Sequence, residues 1–327
     1  MEQSMERRDF IRNALVTGGA LSVPGGLMAH TLSISEELTT ASDELLKGVS
    51  DIHVHALPDS QLRSISELSF ARQAHKAGYR SVMYKSNDFS SHDRAFLIHE
   101  ILPDFEVFGS LVMNKTHGDK VNVHAAEKAV ATSGNRCRCI WMPTQDATYH
   151  LRENNNEQGI AVLDRLGKVL PEVIRVMEIC AEADIVFATG HSSPEESITM
   201  ARKAREIGVR KFVITHVNSL MWTMKEDQIK QAIELGAFVE YCLLPCFWGA
   251  GTSLPDFPVM SMDEFASFVR INPERSFITS DMGQTNIINP IEAMRKTIPA
   301  LLTKGISQES INLMVRRNPT MLMGLKG

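Results

Sequence analysis

The sequence of 327 residues lacks the features that mark several specialised classes of protein. No uninterrupted apolar stretch is long enough to span a bilayer as a mature helix. The formal net charge of -5 provides no basic surface for nucleic acid. Five cysteines, an odd number in a chain of this size, argue against a disulfide framework. These absences predict an ordinary globular protein with neither a membrane span nor a nucleic-acid partner.

The N-terminal segment has the pattern of an export signal. The pair Arg7-Arg8 precedes a large apolar residue, a basic residue and a weakly apolar stretch. This order is typical of a twin-arginine signal. We therefore interpret residues 1–30 as the signal segment and residues 31–49 as a polar linker. The twin-arginine (Tat) export machinery would be a partner, and the protein would be periplasmic or exported. If the segment is instead an ordinary amphipathic helix, the protein would be cytoplasmic.

From residue 50 onward, eight apolar runs of strand type alternate with helical patterns. Eight strand–helix repeats in about 275 residues match a (β/α)8 TIM barrel, whose typical length is about 250 residues. We predict a single-domain α/β barrel over residues 50–327, preceded by a cleavable or disordered leader. A doubly wound open sheet would more often show a glycine-rich first turn, and none is present. The predicted strands are 50–55, 80–84, 106–113, 138–142, 184–190, 211–216, 237–243 and 276–281.

Three helix starts carry the pattern of a capping box. In this motif a hydroxyl side chain accepts a hydrogen bond from the third helical residue, whose glutamate reaches back to the cap. The pairs are Ser193 with Glu196, Thr223 with Glu226, and Ser261 with Glu264.

Metal-competent side chains occur where four of the predicted strands end. His53 and His55 are one residue apart, so a strand points both imidazoles to the same face. His191, His216 and Asp281 end the fifth, sixth and eighth strands. A single such residue is as often a hydrogen-bonded core histidine or a helix cap. Because the carboxyl ends of barrel strands open onto one mouth, the five together predict a metal site. Imidazole and carboxylate ligands favour zinc or a neighbouring transition metal.

The connection from residue 242 to 260 is long and carries aromatic side chains between glycines. It is predicted to be either a lid or pocket wall over the mouth or a packed surface loop. Other polar residues that follow strand ends are weaker candidates for substrate contacts. These are Asn87, His92, Arg94, Lys115, His117, Tyr241 and Gln284.

Together these residues resemble the amidohydrolase superfamily of metal-dependent barrels, over roughly residues 50–327. The segment 49–55 is similar to the first-strand signature of that superfamily. His191, His216 and Asp281 correspond to its fifth-, sixth- and eighth-strand residues. The chain is similar to an uncharacterised amidohydrolase-like group, so the resemblance implies a chemistry and not a substrate.

The chain departs from the superfamily in one respect. Binuclear members usually bridge their metals with a carboxylated lysine or a glutamate from the fourth strand, and the run 140–144 offers neither. Lys85 ends the second strand instead. A lysine beside a metal has a lowered pKa, which favours carbamate formation. A carboxylated bridge, a clamp for a substrate anion and a plain surface lysine all remain open, and so does the number of ions, one or two.

The resemblance implies a hydrolase that uses metal-activated water on an amide, lactone, ester or related bond of a small molecule. In this hypothesis His53, His55, His191 and Asp281 hold the first ion, and Asp281 transfers the proton. His216 binds a second ion or orients the water and stabilises the oxyanion.

Two other functions fit the same sequence. A metal-dependent decarboxylase would use Lys85 or Arg94 as a cationic clamp. A non-catalytic metal-binding barrel is the third. Barrels of this kind often form homo-oligomers through helix faces, but no symmetry follows from the sequence.

Overall fold

The computed structural model describes residues 44–153, 159–219 and 222–326. The interpreted signal segment lies outside these residues, so export and location stay predictions. Among the described residues, no helix has the length and apolar character needed to cross a membrane.

Eight parallel strands follow one another in chain order around a barrel. Two backbone hydrogen bonds close the barrel between the last and the first strand. The N–H of Asp281 donates to the His53 carbonyl at 2.9 Å, and the N–H of His55 donates to the Met282 carbonyl at 2.9 Å. The strands are β1 Ser50–Val54, β2 Ser81–Tyr84, β3 Glu106–Val112, β4 Cys137–Trp141, β5 Val186–Ala188, β6 Phe212–Ile214, β7 Phe238–Cys242 and β8 Ser276–Thr279. The predicted TIM barrel is confirmed.

Helices cover the outside of the barrel. Among the strand residues, all but Glu106 and Arg138 are buried, because the strands are covered on both faces. The helices are α1 Glu67–Lys76, α2 His92–Ile101, α3 Val123–Ala131, α4 Thr148–Glu153, α5 Pro171–Glu182, α6 Pro194–Ile207, α7 Glu226–Glu234, α8 Met262–Val269, α9 Pro290–Thr303, α10 Gln308–Asn312 and α11 Asn318–Leu322.

Two of the three predicted capping boxes are present, those that begin at Ser193 and Ser261. The Ser193 hydroxyl accepts the Glu196 N–H at 3.1 Å, and the glutamate accepts the Ser193 N–H at 2.8 Å. The third prediction is wrong. The Thr223 hydroxyl donates to the Ser219 carbonyl at 2.8 Å and is therefore held in the turn before α7.

The barrel interior is packed with apolar side chains, including Ile52, Phe108 and Trp141. Trp141 lies at the carboxyl end of β4, with its ring centroid 4.7 Å from that of His53. The packed interior therefore forms a floor beneath the mouth, and the polar residues of the mouth lie on top of it.

Candidate metal centre

Three of the five predicted ligands form one compact group at the barrel mouth. The Oδ1 atom of Asp281 lies 3.0 Å from His53 Nε2 and 3.2 Å from His55 Nε2. The three ligand atoms all lie within 4.8 Å of one another. With metal–ligand bonds of about 2.1 Å, neighbouring ligand atoms lie roughly 3.0 Å apart in an octahedral site and 3.4 Å in a tetrahedral one. The two distances from Asp281 Oδ1 are those of neighbouring ligands of one divalent ion, so the three residues form a candidate metal site.

Barrel closure brings the aspartate to the histidine pair. Asp281 follows β8 with a φ of +53°, in the left-handed region that non-glycine residues rarely adopt. Gly283 lies so close to β1 that a Cβ atom there would stand 1.7 Å from the His55 carbonyl oxygen. Only glycine permits this approach. Gly283 therefore lets the segment that carries Asp281 lie against the segment that carries His55.

Glu240 is a buried acidic residue of the site that the sequence reasoning missed. It lies in β7 and is fully buried. Its Oε1 accepts hydrogen bonds from His53 Nδ1 at 2.8 Å and from the Thr279 hydroxyl at 2.7 Å. Its Oε2 accepts the backbone N–H of His216 at 3.0 Å. A carboxylate on Nδ1 fixes the imidazole so that Nε2 faces the ligand position, as in many metal sites.

The carboxylates of Asp281 and Glu240 favour a positive charge between them. Burial disfavours a proton on His53, but the carboxylates of Asp281 and Glu240 outweigh it and raise the pKa of His53 to about 9. Burial likewise opposes ionisation of both carboxyl groups, yet His53 holds their pKa values below the usual range. In the metal-free protein, a proton on His53 thus supplies the positive charge between two carboxylates.

Lys85 lies within this cluster. It is 3% exposed, and its Nζ atom is 3.1 Å from His53 Nε2 and 4.9 Å from the centre of the Trp141 ring. Burial lowers the pKa of Lys85 although the two nearby carboxylates oppose the shift. The interpretation as a surface lysine is wrong, because the barrel mouth encloses the side chain. The bridge and the anion clamp both stay open.

Arg63 contacts the second histidine and was also missed. Its Nη2 lies 3.3 Å from His55 Nδ1, and its Nε donates to Asp59 at 3.1 Å. Burial, and then the charge of Arg63, lower the pKa of His55 well below its usual value. A guanidinium can only donate, so His55 Nδ1 accepts and Nε2 carries the ring proton. A metal at Nε2 would move that proton to Nδ1, and Arg63 would have to turn away.

His191 and His216 lie at the same mouth but outside the three-ligand group. Their ring centroids are 4.9 Å apart, and His216 is 6.2 Å from His53 by the same measure. His216 has a φ of +32°, and its buried Nδ1 has no hydrogen-bond partner within the described ranges. The indole N–H of Trp222 donates to the His191 carbonyl at 3.2 Å. All five predicted ligands thus reach one mouth, but the structure places only three around a common point.

A cavity of about 180 Å³ opens above these residues. The connection that follows β7 forms an apolar wall of this cavity. Of the two predictions for this connection, the pocket wall fits the structure. Asn87 and Gln284, two of the weaker candidates, also line the cavity. Arg94 instead pairs with Glu67 at 2.8 Å. The apolar wall consists of Leu244, Trp248, Leu254 and Phe257. The polar side includes Gln61, Arg63, Lys85, Asn87, Gln145 and Gln284.

A more open depression of about 780 Å³ lies near the amino ends of β6 and β7, around Lys211 and Phe238. None of the five predicted ligands lines it. The smaller cavity at the opposite end of these strands therefore remains the candidate site.

Fold and site together define a (β/α)8 barrel with a buried histidine–aspartate cluster at its carboxyl end. Several solved structures share this fold. An amidohydrolase from Pseudomonas aeruginosa is 10% identical over 88% of this chain and 97% of that one, with a TM-score of 0.55. The probable dipeptidase PvdM from Pseudomonas aeruginosa is 10% identical over 88% and 98%, with a TM-score of 0.60. An amidohydrolase from Burkholderia multivorans with bound zinc is 9% identical over 85% and 99%, with a TM-score of 0.56. The resemblance to amidohydrolases is confirmed for the fold.

The chain belongs to a family of unknown function, DUF6282, whose sequence profile matches residues 48–240. This range contains His53, His55 and Glu240 and ends before Asp281. Among curated proteins, the search found no match to the chain.

Proposed function

We propose that the protein is a metal-dependent hydrolase that acts on an amide, lactone, ester or related bond of a small molecule. The observation that carries this proposal is the convergence of Asp281 Oδ1 with the Nε2 atoms of His53 and His55, at 3.0 and 3.2 Å, beneath a cavity. The amidohydrolases and the probable dipeptidase that share the fold support it.

The donor set suits zinc, because two imidazole nitrogens and a carboxylate oxygen are preferred zinc ligands. A bound divalent ion supplies a water of lowered pKa and polarises the substrate oxygen. Glu240 keeps the Nε2 atom of His53 directed at the ligand position through its 2.8 Å hydrogen bond to Nδ1.

Asp281 is the residue we assign to proton transfer. Its side chain is 13% exposed, so the carboxylate reaches the cavity while Oδ1 faces the histidines. It would accept a proton from the attacking water and deliver it to the leaving group.

His216 lines the cavity as a neutral imidazole. Burial lowers its pKa to about 4 against the attraction of Asp281 and Glu240. We assign it to orienting the water or to stabilising negative charge on the substrate oxygen. The apolar wall around Trp248 excludes bulk water and packs against the substrate.

A metal-dependent decarboxylase is the second candidate, because two cationic side chains, Lys85 and Arg63, line the cavity. Either would bind a substrate carboxylate. Arg94, the other cation that the sequence suggested for this role, is held by Glu67.

The test is hydrolysis by the metal-replete full chain against a panel of amides, lactones and esters, with Asp281→Asn as the variant. We expect the variant to lose at least about a hundredfold in rate, the usual contribution of general acid–base catalysis. The exposed Asp104→Asn is the matched control and should keep full activity. Full activity in Asp281→Asn overturns the proposal. Release of carbon dioxide from a carboxylic-acid panel, without hydrolysis, would favour the decarboxylase.

A further inference from the structure

The depression at the amino end of the barrel is lined by more cations than acids. Its volume of about 780 Å³ lies within the range of small-molecule pockets. The charged side chains that line it are Arg205, Arg210, Lys211, Arg275, Asp184 and Glu234. The chain as a whole has a formal net charge of -5, so four cations with two acids reverse the sign locally. A recess of this charge favours an anionic ligand.

One of the two acids is already paired with cations. Asp184 Oδ1 accepts a hydrogen bond from Arg210 at 3.0 Å, and its Oδ2 lies 3.1 Å from Lys211 Nζ. Lys211 also donates to the Asp184 carbonyl at 2.7 Å. Burial opposes ionisation of Asp184, but Lys211 and then Arg210 lower its pKa. The three groups thus form one assembly that keeps a positive charge, and the other acid, Glu234, is exposed.

Two guanidinium groups in the depression have no carboxylate partner within the described residues. The Cζ atom of Arg275 lies over the Phe238 ring, 4.6 Å from its centre. A guanidinium stacked on an aromatic face keeps its N–H edges available for hydrogen bonds. Arg205 is exposed in the last turn of α6. Because a guanidinium group binds phosphate with two parallel hydrogen bonds, the pair suits a phosphorylated molecule.

Arginine recurs at this end of the barrel. An arginine stands one or two residues before each even-numbered strand, and these are Arg80, Arg136, Arg210 and Arg275. The odd-numbered strands are preceded instead by buried apolar residues, which are Val49, Phe105, Ile185 and Ala237. Arg136 is paired with Glu106 at 2.7 Å. The depression is therefore the place where a basic end of the barrel is recessed and only partly neutralised.

We propose that this depression binds a phosphorylated small molecule, with Arg205 and Arg275 donating hydrogen bonds to its phosphate groups. Leu235, Met321 and Leu325 line the same depression and would contact the carbon skeleton of the ligand. A recess with both apolar and cationic walls favours a small molecule over a membrane surface. The site lies at the end of the barrel opposite the histidine–aspartate cluster, so this inference does not depend on the proposed function.

The experiment measures how fast phenylglyoxal modifies each arginine of the full-length protein as inorganic pyrophosphate is added, by peptide mass spectrometry. At a concentration about ten times the dissociation constant, labelling of Arg205 and Arg275 should fall roughly tenfold, because the bound protein is protected. Arg72, exposed on α1, is the internal control and should react at an unchanged rate. Unchanged labelling of Arg205 and Arg275 overturns the proposal and leaves these cations to balance helix ends. Protection by phosphatidylglycerol vesicles, but not by pyrophosphate, would assign the surface to a membrane and also overturn it.

A variant tests the pair while Arg275 remains as the reporter. In Arg205→Gln, half-protection of Arg275 should require at least about ten times more pyrophosphate, the usual effect of losing a charged hydrogen bond. Arg202→Gln, at an exposed position on the same helix outside the depression, is the matched control and should behave like the wild type. The thermal unfolding curve of each variant identifies loss of fold. Unchanged half-protection in folded Arg205→Gln overturns the proposal, and it leaves the proposed function untouched because hydrolysis is not the readout.

Discussion

Replacing Glu240 by glutamine is expected to weaken zinc binding by ten- to a hundredfold. The carboxylate accepts three hydrogen bonds, from His53 Nδ1 at 2.8 Å, the Thr279 hydroxyl at 2.7 Å and the His216 N–H at 3.0 Å. It is fully buried, so water cannot replace a lost partner. Glu240 acts on the ion only through His53, which makes it a positioning residue.

Glutamine has nearly the same shape but only one acceptor atom. If its oxygen faces His53 and Thr279, its amide N–H atoms face the donating N–H of His216. If the amide turns over, its N–H atoms face His53 Nδ1, which carries the ring proton whenever Nε2 binds the ion, while the Thr279 hydroxyl can rotate to accept. Either arrangement leaves a buried donor opposite a donor, and the negative charge beside the ligand is lost. A ten- to hundredfold loss corresponds to about 1.4–2.7 kcal/mol, the usual size of such an outer-shell effect.

Calorimetric titration of the chelator-treated full chain with zinc measures this loss. Glu100→Gln, an exposed position on α2, is the matched control and should titrate like the wild type. The thermal unfolding curve of each metal-free variant separates weaker binding from loss of fold. Zinc affinity within twofold of the wild type in a folded Glu240→Gln protein would refute the assigned role.

Two further substitutions test the geometry and the buried charge beside the site. Gly283→Ala places a Cβ atom 1.7 Å from the His55 carbonyl oxygen at a φ of +132°, so we expect urea unfolding to show a loss of about 3 kcal/mol or more. Gly236→Ala, with a φ of +98° in open space, should lose only about 1 kcal/mol, and equal losses would contradict the close approach. Burial raises the pKa of Asp51 from 3.8 to about 6, so its protonation stabilises the fold below pH 4 and this contribution is lost as the pH rises through 6. In metal-free protein, Asp51→Asn should remove about 1 kcal/mol of the wild-type difference between pH 5 and pH 7, and an unchanged pH dependence would exclude the raised pKa.

The strand positions were predictable because each depends on a short apolar run. The first strand was predicted over 50–55 and spans Ser50–Val54, and the eighth was predicted over 276–281 and spans Ser276–Thr279. The ligand candidates followed from the same runs, since each stands where a strand ends. Thr223 shows the limit of this reasoning. Its hydroxyl donates to the Ser219 carbonyl in a turn that the sequence pattern does not reveal, so it does not cap the helix.

The residues that were missed share a different origin. Glu240 is a single acidic residue in an otherwise apolar strand, which the sequence shows. The sequence does not show that its partner is His53, 187 positions away. Arg63 lies in a connection without a motif, and it reaches the site only because the barrel brings that connection over the mouth. Pairings over such distances depend on closure of the barrel and not on local periodicity.

The sequence by itself determined the number of strands, their order and the end of the barrel at which polar side chains collect. These properties follow from local patterns of burial and from the rule that parallel strands share one direction. Only the tertiary structure decided which nitrogen faces which oxygen. It placed Asp281 against His53 and His55, and it buried Lys85 beside them. The reason is physical, because ligand spacing depends on fractions of an ångström set by β8 closing on β1, and no local pattern encodes that closure.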